Sequence, residues 1–138
     1  MNHEPLKVFV YGTLKPGEIS YNRYCVGKVV EEIRAIAFGK LFDLPVGYPA
    51  MTPGDIAVSG FLLTFTDPAI LGVLDELEGY NPNRTLDKNE YYRQKVQIYN
   101  LARQSLGWAW VYLMNCERVN RLGGIPIQSG CWSQKLGI

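Results

Sequence analysis

One segment of this chain has both ends of a helix written into it, and the segments around it are patterned as strand or turn. Asp67-Pro68 places a capping side chain and a proline of preset φ at a helix start. Ile70, Leu71, Leu74 and Leu77 then recur at three- and four-residue spacing, which predicts one apolar face. Gly79 is the residue type that closes such a helix. On either side the apolar residues come in short β-branched and aromatic runs. Lys7 to Tyr11 is stopped at once by Gly12, residues 27–42 read as one or two strands, and Val58 to Thr66 reads as another. Tyr91 to Tyr99 and Ser105 to Met114, joined by a short turn, predict a hairpin. A second short helix is expected within residues 20–27, where Tyr21, Tyr24 and Cys25 fall at helical spacing. The pattern predicts an α+β fold.

The intervening segments read as loops. Pro45, Gly47, Pro49, Pro53 and Gly54 lie between Asp43 and Gly54, so this stretch is expected to be an irregular binding loop. The polar run from Asn81 to Asn89 is expected to be another loop. From Asn115 onward the chain is rich in Gly and Ser, and residues 115–138 are expected to form a surface tail in which Trp132 is able to pack back on the core. The whole, residues 1–138, reads as a single domain, a size at which about 70% of the unfolded surface is buried on folding.

Composition removes several classes of function. With 47% hydrophobic and 20% charged residues the chain is globular, and a net charge of +1 gives no field to draw it to nucleic acid or to an anionic membrane. No apolar run approaches the roughly 20 residues of a membrane helix, and the start does not read as a secretory signal. Cys25, Cys116 and Cys131 include no Cys-x-x-Cys pair, which argues against a disulfide framework or structural zinc and for the cytoplasm. His3 is the sole histidine, so triad-type nucleophilic catalysis and histidine-bound metal are disfavoured. There is no Gly-x-Gly-x-x-Gly and no phosphate loop. The expectation is chemistry without metal or cofactor on a small molecule, carried by carboxylates, tyrosines and backbone groups.

Three features fit that description. Glu78 stands at the last turn of the expected helix, at the edge of its buried face, with Asp75 and Glu76 expected to point more to solvent. Partial burial and the helix C-terminus would both raise its pKa, as a general base near neutral pH requires. Tyr11-Gly12-Thr13-Leu14 ends a strand and is suited to an anion-binding nest of backbone N–H groups, Gly12 removing a Cβ that would block a ligand. Tyr91, Tyr92 and Tyr112 lie on the two late strands and can line a pocket. Each also has an ordinary reading: a solvated helix-end acid, a tight turn, strand aromatics.

Taken in order, Phe9-Val10-Tyr11-Gly12-Thr13-Leu14, Gly39-Lys40-Leu41-Phe42, Tyr48-Pro49-Ala50, Gly60, Leu74-Asp75-Glu76-Leu77-Glu78-Gly79-Tyr80 and Tyr91-Tyr92-Arg93 resemble the γ-glutamylcyclotransferase-like (AIG2-like) family over roughly residues 7 to 113. The resemblance implies a small mixed barrel-like β-sheet flanked by short helices. It implies that the Tyr11–Leu14 turn cradles the substrate and that Glu78 is the catalytic carboxylate. Family tyrosines map to Tyr91, with Tyr92 competing, and to Tyr112. The implied reaction is release of 5-oxoproline from a γ-glutamyl amine or peptide by attack of its α-amine. A non-catalytic binding module of the same fold is the alternative.

Overall fold

The computed structural model describes residues 5–85 and 88–133. In chain order these form β1 (Leu6–Val10), α1 (Ile19–Tyr24), β2 (Val29–Asp43), β3 (Pro49–Phe65), α2 (Ile70–Leu77), β4 (Tyr92–Tyr99), β5 (Ser105–Leu113), α3 (Cys116–Arg121) and β6 (Ile125–Pro126). The sheet runs β3-β1-β5-β4-β2-β6, and β3 also pairs with β2, so five strands close into a ring with β6 added at one end of β2. Only β1 and β5 are parallel; the other ladders are antiparallel. This is a mixed, barrel-like α+β fold, and no helix among the described residues is long and apolar enough to cross a membrane.

β1 shows why Val8, Phe9, Val10 and the Tyr11 that follows are all apolar or aromatic. Successive side chains of a strand point to opposite faces. Val8 and Val10 join the core beneath α2, with Leu63, Phe65, Ile70 and Leu74. Phe9 and Tyr11 join the core enclosed by the ring, where Ala35, Ala37 and Ala109 leave room for Met51, Val111 and Trp132. Closing a small ring also demands close backbone approach. A Cβ on Gly60 would lie 2.2 Å from the Val10 carbonyl oxygen and 2.8 Å from Cζ of Phe9. Gly60→Ala is therefore expected to pry β3 from β1 at a cost of about 1–3 kcal/mol, read as a lower urea midpoint.

Two segments depart from the sequence expectation. The stretch 43–54 is not an irregular loop: β3 starts at Pro49, and only residues 44–48 make the turn from β2. Its breakers are accommodated at special positions. Lys40 pairs with Thr52 while Gly39 pairs with Ile56, so Pro53, Gly54 and Asp55 bulge out of the ladder, where the missing proline N–H costs nothing. The stretch after Asn115, expected as a surface tail, is folded over residues 115–133. Asn115 caps α3 by accepting from the Glu117 N–H at 2.8 Å, β6 pairs with β2, and Trp132 is 4% exposed. Residues 134–138 and His3 lie outside the described residues.

Candidate active site

The C-terminal end of α2 delivers Glu78. Asp67 caps the turn leading into the helix through Oδ1, which accepts from the Ala69 N–H at 2.9 Å. At the other end the N–H of Tyr80 reaches the Asp75 carbonyl at 2.9 Å and that of Gly79 the Glu76 carbonyl at 3.2 Å, a Schellman closure with Gly79 at φ +66°. The chain then returns against the helix end. Glu90 and Tyr91 donate to the carbonyls of Gly79 and Glu78 at 3.1 and 3.3 Å. A Cβ on Gly79 would meet Cβ of Glu90 at 2.9 Å, so glycine serves both the turn and this contact. Glu78, Glu90 and Tyr91 are thereby gathered at one place.

They face a cavity of about 370 Å³. Of the residues singled out from the sequence, Glu78, Tyr11, Gly12, Thr13, Leu14, Tyr91 and Tyr112 line it. Ser20, Tyr48 and Glu90 line it too, and sequence reasoning gave them no role. Tyr92, the competitor of Tyr91, is not among the lining residues and packs instead against the core inside the ring. The pleat separates the two: neighbours on an extended chain face opposite ways.

The Glu78 side chain has no hydrogen-bond partner among the described residues. Burial pushes its pKa from the ordinary 4.5 up to about 8, and the charge of Glu90 adds to the shift. Glu90 itself is held by the Tyr48 hydroxyl, which donates to Oε1 at 2.5 Å. Burial and then this bond raise Tyr48 to about 12.

The carbonyls of Gly12 and Thr13 are taken by N–H groups of the chain that follows. The Gly12 carbonyl accepts from Lys15 N–H at 3.0 Å, and the Thr13 carbonyl accepts from Ser20 and Tyr21 at the start of α1, at 3.0 and 3.1 Å. The N–H groups of Gly12, Thr13 and Leu14 have no acceptor among the described residues. The absent Cβ at Gly12 has a different reason from the one expected: it would strike Cγ of Pro49 at 2.7 Å, so glycine makes room for the protein's own ring. Lys15 is buried, its Nζ donating to the Trp132 carbonyl, and the Trp132 indole N–H donates to Asp43 Oδ1 at 3.1 Å. The segment after β6 thus fastens the end of the turn.

The tyrosine hydroxyls are committed to the protein. Tyr11 donates to the Tyr112 carbonyl at 2.5 Å and accepts from Met51 N–H at 3.2 Å. Tyr91 donates to the Pro49 carbonyl and Tyr112 to Asp75 Oδ1, both at 2.7 Å. Burial is the first cause that raises all three phenols above their usual range. What they offer a ligand is wall, not a free donor.

Asp75 differs from expectation. Instead of facing solvent, it accepts from Tyr112 and from Arg93 Nε, the latter at 2.9 Å. Arg93 and Tyr112 are opposite each other on β4 and β5, and the guanidinium lies 4.4 Å from the Trp110 ring centroid. Helical spacing shows which face is apolar, but not that a strand brings polar partners to its flank. Asp75→Ala is expected to cost about 1.5–3 kcal/mol, the range for hydrogen bonds to a charged group. A double-mutant cycle with Arg93→Met should return a coupling; strictly additive effects would show that the pair is idle.

Residues 8–134 match the family model described as gamma-glutamyl cyclotransferase, AIG2-like. A Vibrio cholerae protein named "Putative gamma-glutamylcyclotransferase" is 29% identical over 129 residues, covering 94% of this chain and 96% of its own. Among solved structures, an AIG2-like protein from Mus musculus superposes with a TM-score of 0.65 at 21% identity, over 91% of this chain and 88% of that one. YkqA from Bacillus subtilis superposes with a TM-score of 0.64 at 22% identity over 94% of this chain, which spans 40% of YkqA. The two structural likenesses show the fold.

Proposed function

The chain belongs to the gamma-glutamyl cyclotransferase, AIG2-like family, and from that premise we propose that it converts a γ-glutamyl amide to 5-oxoproline and a free amine, with Glu78 moving the proton. The observation that carries this reading is the Glu78 carboxyl, without a hydrogen-bond partner among the described residues and set in the same cavity as a turn whose amides find no acceptor among them. An acid left without a partner in a largely apolar pocket is poised to take a proton from a substrate.

The amides of Gly12, Thr13 and Leu14 bind the substrate's α-carboxylate, and Tyr11, Tyr91 and Tyr112 wall the γ-glutamyl chain. Ionised Glu78 takes a proton from the α-ammonium. The α-nitrogen then bonds to the γ-carbonyl carbon, and Glu78 passes its proton to the leaving nitrogen as the bond from that carbon to it breaks. The second proton, shed by the α-nitrogen on becoming the lactam N–H, is carried by Glu78 to the freed amine, which departs as an ammonium. All atoms come from the one substrate, so neither water nor a cofactor enters the balance. Because the attack is intramolecular, holding the chain curled supplies much of the rate. Three free cysteines suit a reducing compartment, the cytoplasm.

The test is to incubate the protein with a panel of γ-glutamyl amides and separate 5-oxoproline from glutamate. Equimolar 5-oxoproline and amine are expected. Glutamate in place of 5-oxoproline would mean attack by water and defeat the cyclotransferase reading. Binding of a γ-glutamyl amide with no product of either kind would favour the non-catalytic module.

A further inference from the structure

We propose that the open edge of β4 docks an extended, acidic segment of a partner protein, which adds to the barrel as a further strand. The site shares no residue with the cavity around Glu78 and does not depend on what that cavity does. Along one side β4 is paired with β5 from Tyr92 to Tyr99. On its other side it meets β2 at one position, Ile36 opposite Tyr99, where the ring closes. From there the two strands part. The β2-facing edge of residues 94–97 has no ladder partner and no other backbone hydrogen bond among the described residues.

A groove of about 260 Å³ lies at this seam, and Gln94, Lys95, Val96 and Gln97 all line it. Successive side chains of a strand face opposite ways, so four consecutive lining residues mean that the groove follows the strand's edge and not one of its faces. Gln94 agrees with this: it alternates in step with Val96 and Ile98, which pack inside the ring, yet it is exposed. An edge of this kind recognises an extended chain through main-chain hydrogen bonds, and the flanking side chains choose which chain.

Those flanks favour acid. Ala37 and Leu41 point into the ring, so Phe38 and Lys40 point outward on β2. The Phe38 ring meets Tyr99 edge-on at 5.4 Å between centroids. Trp108, opposite Gln97 on β5, lines the groove and is 63% exposed. The β4–β5 turn adds a cation. Asn100 Oδ1 accepts from the N–H groups of Ala102 and Gln104, and Arg103, at φ 63°, sets its guanidinium 5.4 Å from the Phe38 centroid. Lys95 lines the groove, and no carboxylate does among the described residues. Rings beside the cations exclude water, so ion pairs formed there count for more than on open surface. An added strand with acidic residues at its outward positions meets Lys95, Lys40 and Arg103, and apolar residues at its inward positions meet Val96. Two copies joined edge to edge would bring Lys95 toward Lys95, which is how edge strands are kept apart. A net charge of +1 gives single-stranded nucleic acid little to hold beyond this groove.

The probe is the capped peptide acetyl-Glu-Val-Glu-Phe-Glu-Val-Glu-amide, titrated into the isotope-labelled full chain at low salt and followed by amide and indole NMR shifts. The amides of residues 94–97 and the Trp108 indole should move, and a peptide with Lys in place of every Glu should leave them unmoved. Two further peptides are N-methylated on alternate residues, one set each. Successive N–H groups of a strand point to opposite edges, so one of the two should bind about tenfold or more weakly while its charge is unchanged. Lys95→Glu, an exposed change, should weaken the probe by about tenfold or more. No binding, shifts centred elsewhere, or N-methylated peptides that both bind like the parent would overturn the proposal. So would displacement of the probe by octathymidylate, or a chain that is dimeric without peptide.

Discussion

Glu78→Gln is expected to lower kcat/KM by about 10²–10⁴-fold, the usual worth of a general base, and at the same time to stabilise the protein above neutral pH. The second half follows from linkage. Glu78 titrates near 8 in the fold and near ~4.3 in an unfolded chain. Between those values the folded state binds more protons than the unfolded one, so stability falls as pH rises through that window and levels off above it. Glutamine keeps the size, removes the titration, and should therefore raise Tm at pH 8.5 while changing it little at pH 4. For the same reason wild-type kcat/KM should climb with pH until Glu78 is ionised, approaching a plateau above about 8. A variant that retains turnover removes Glu78 from the chemistry. One that is less stable than wild type at pH 8.5 shows that the carboxylate has a stabilising partner.

The second large effect is expected at Trp132, far from any motif. Its ring is buried in the core inside the barrel, its carbonyl receives Lys15, and its indole N–H reaches Asp43. Trp132→Ala removes a large core side chain at about 3–5 kcal/mol and loosens the end of the Tyr11–Leu14 turn. To separate folding from positioning, Lys15→Met keeps the aliphatic stem and deletes only the donor. Since the turn is proposed to hold the α-carboxylate before and during reaction, Lys15→Met should raise KM with little change in kcat. A fall in kcat at constant KM would mean that the turn acts only in the transition state.

The legible parts of this chain were those whose physics is local. A stripe of Ile and Leu and a closing Gly state α2 and deliver Glu78 at its end, but the helix starts at Ile70 with Ala69 as its N-cap, so Asp67 and Pro68 form the turn before it and not its cap and first residue. Run length and a stopping Gly state β1 and the turn after it. The pleat alone separates Tyr91 from Tyr92, although one sequence cannot say which faces the ligand. What misled was also local: Pro49, Pro53 and Gly54 are strand breakers on average, but Pro49 stands at the first position of β3 opposite Asp43, and a bulge between two long strands takes in Pro53 and Gly54. The segment 115–133 has little periodicity of its own, and it is ordered by partners on β2 and β3. The N–H of Ile127 reaches the Leu41 carbonyl at 2.8 Å, and the Gly130 carbonyl receives the Ser59 N–H at 2.7 Å.

The sequence by itself determined β1, α2 and the β4–β5 hairpin, the α+β class, the candidate base and the turn opposite it, because propensity and spacing act over a few residues. Only the tertiary structure decided the environment of that base. Closure of β3 onto β2, return of the chain after Gly79, and docking of Trp132 bring together groups that are distant in the chain, Tyr48 with Glu90 and Lys15 with Trp132. Burial and charge depend on all neighbours at once, so the raised pKa of Glu78 and the committed tyrosine hydroxyls come from packing and from no motif.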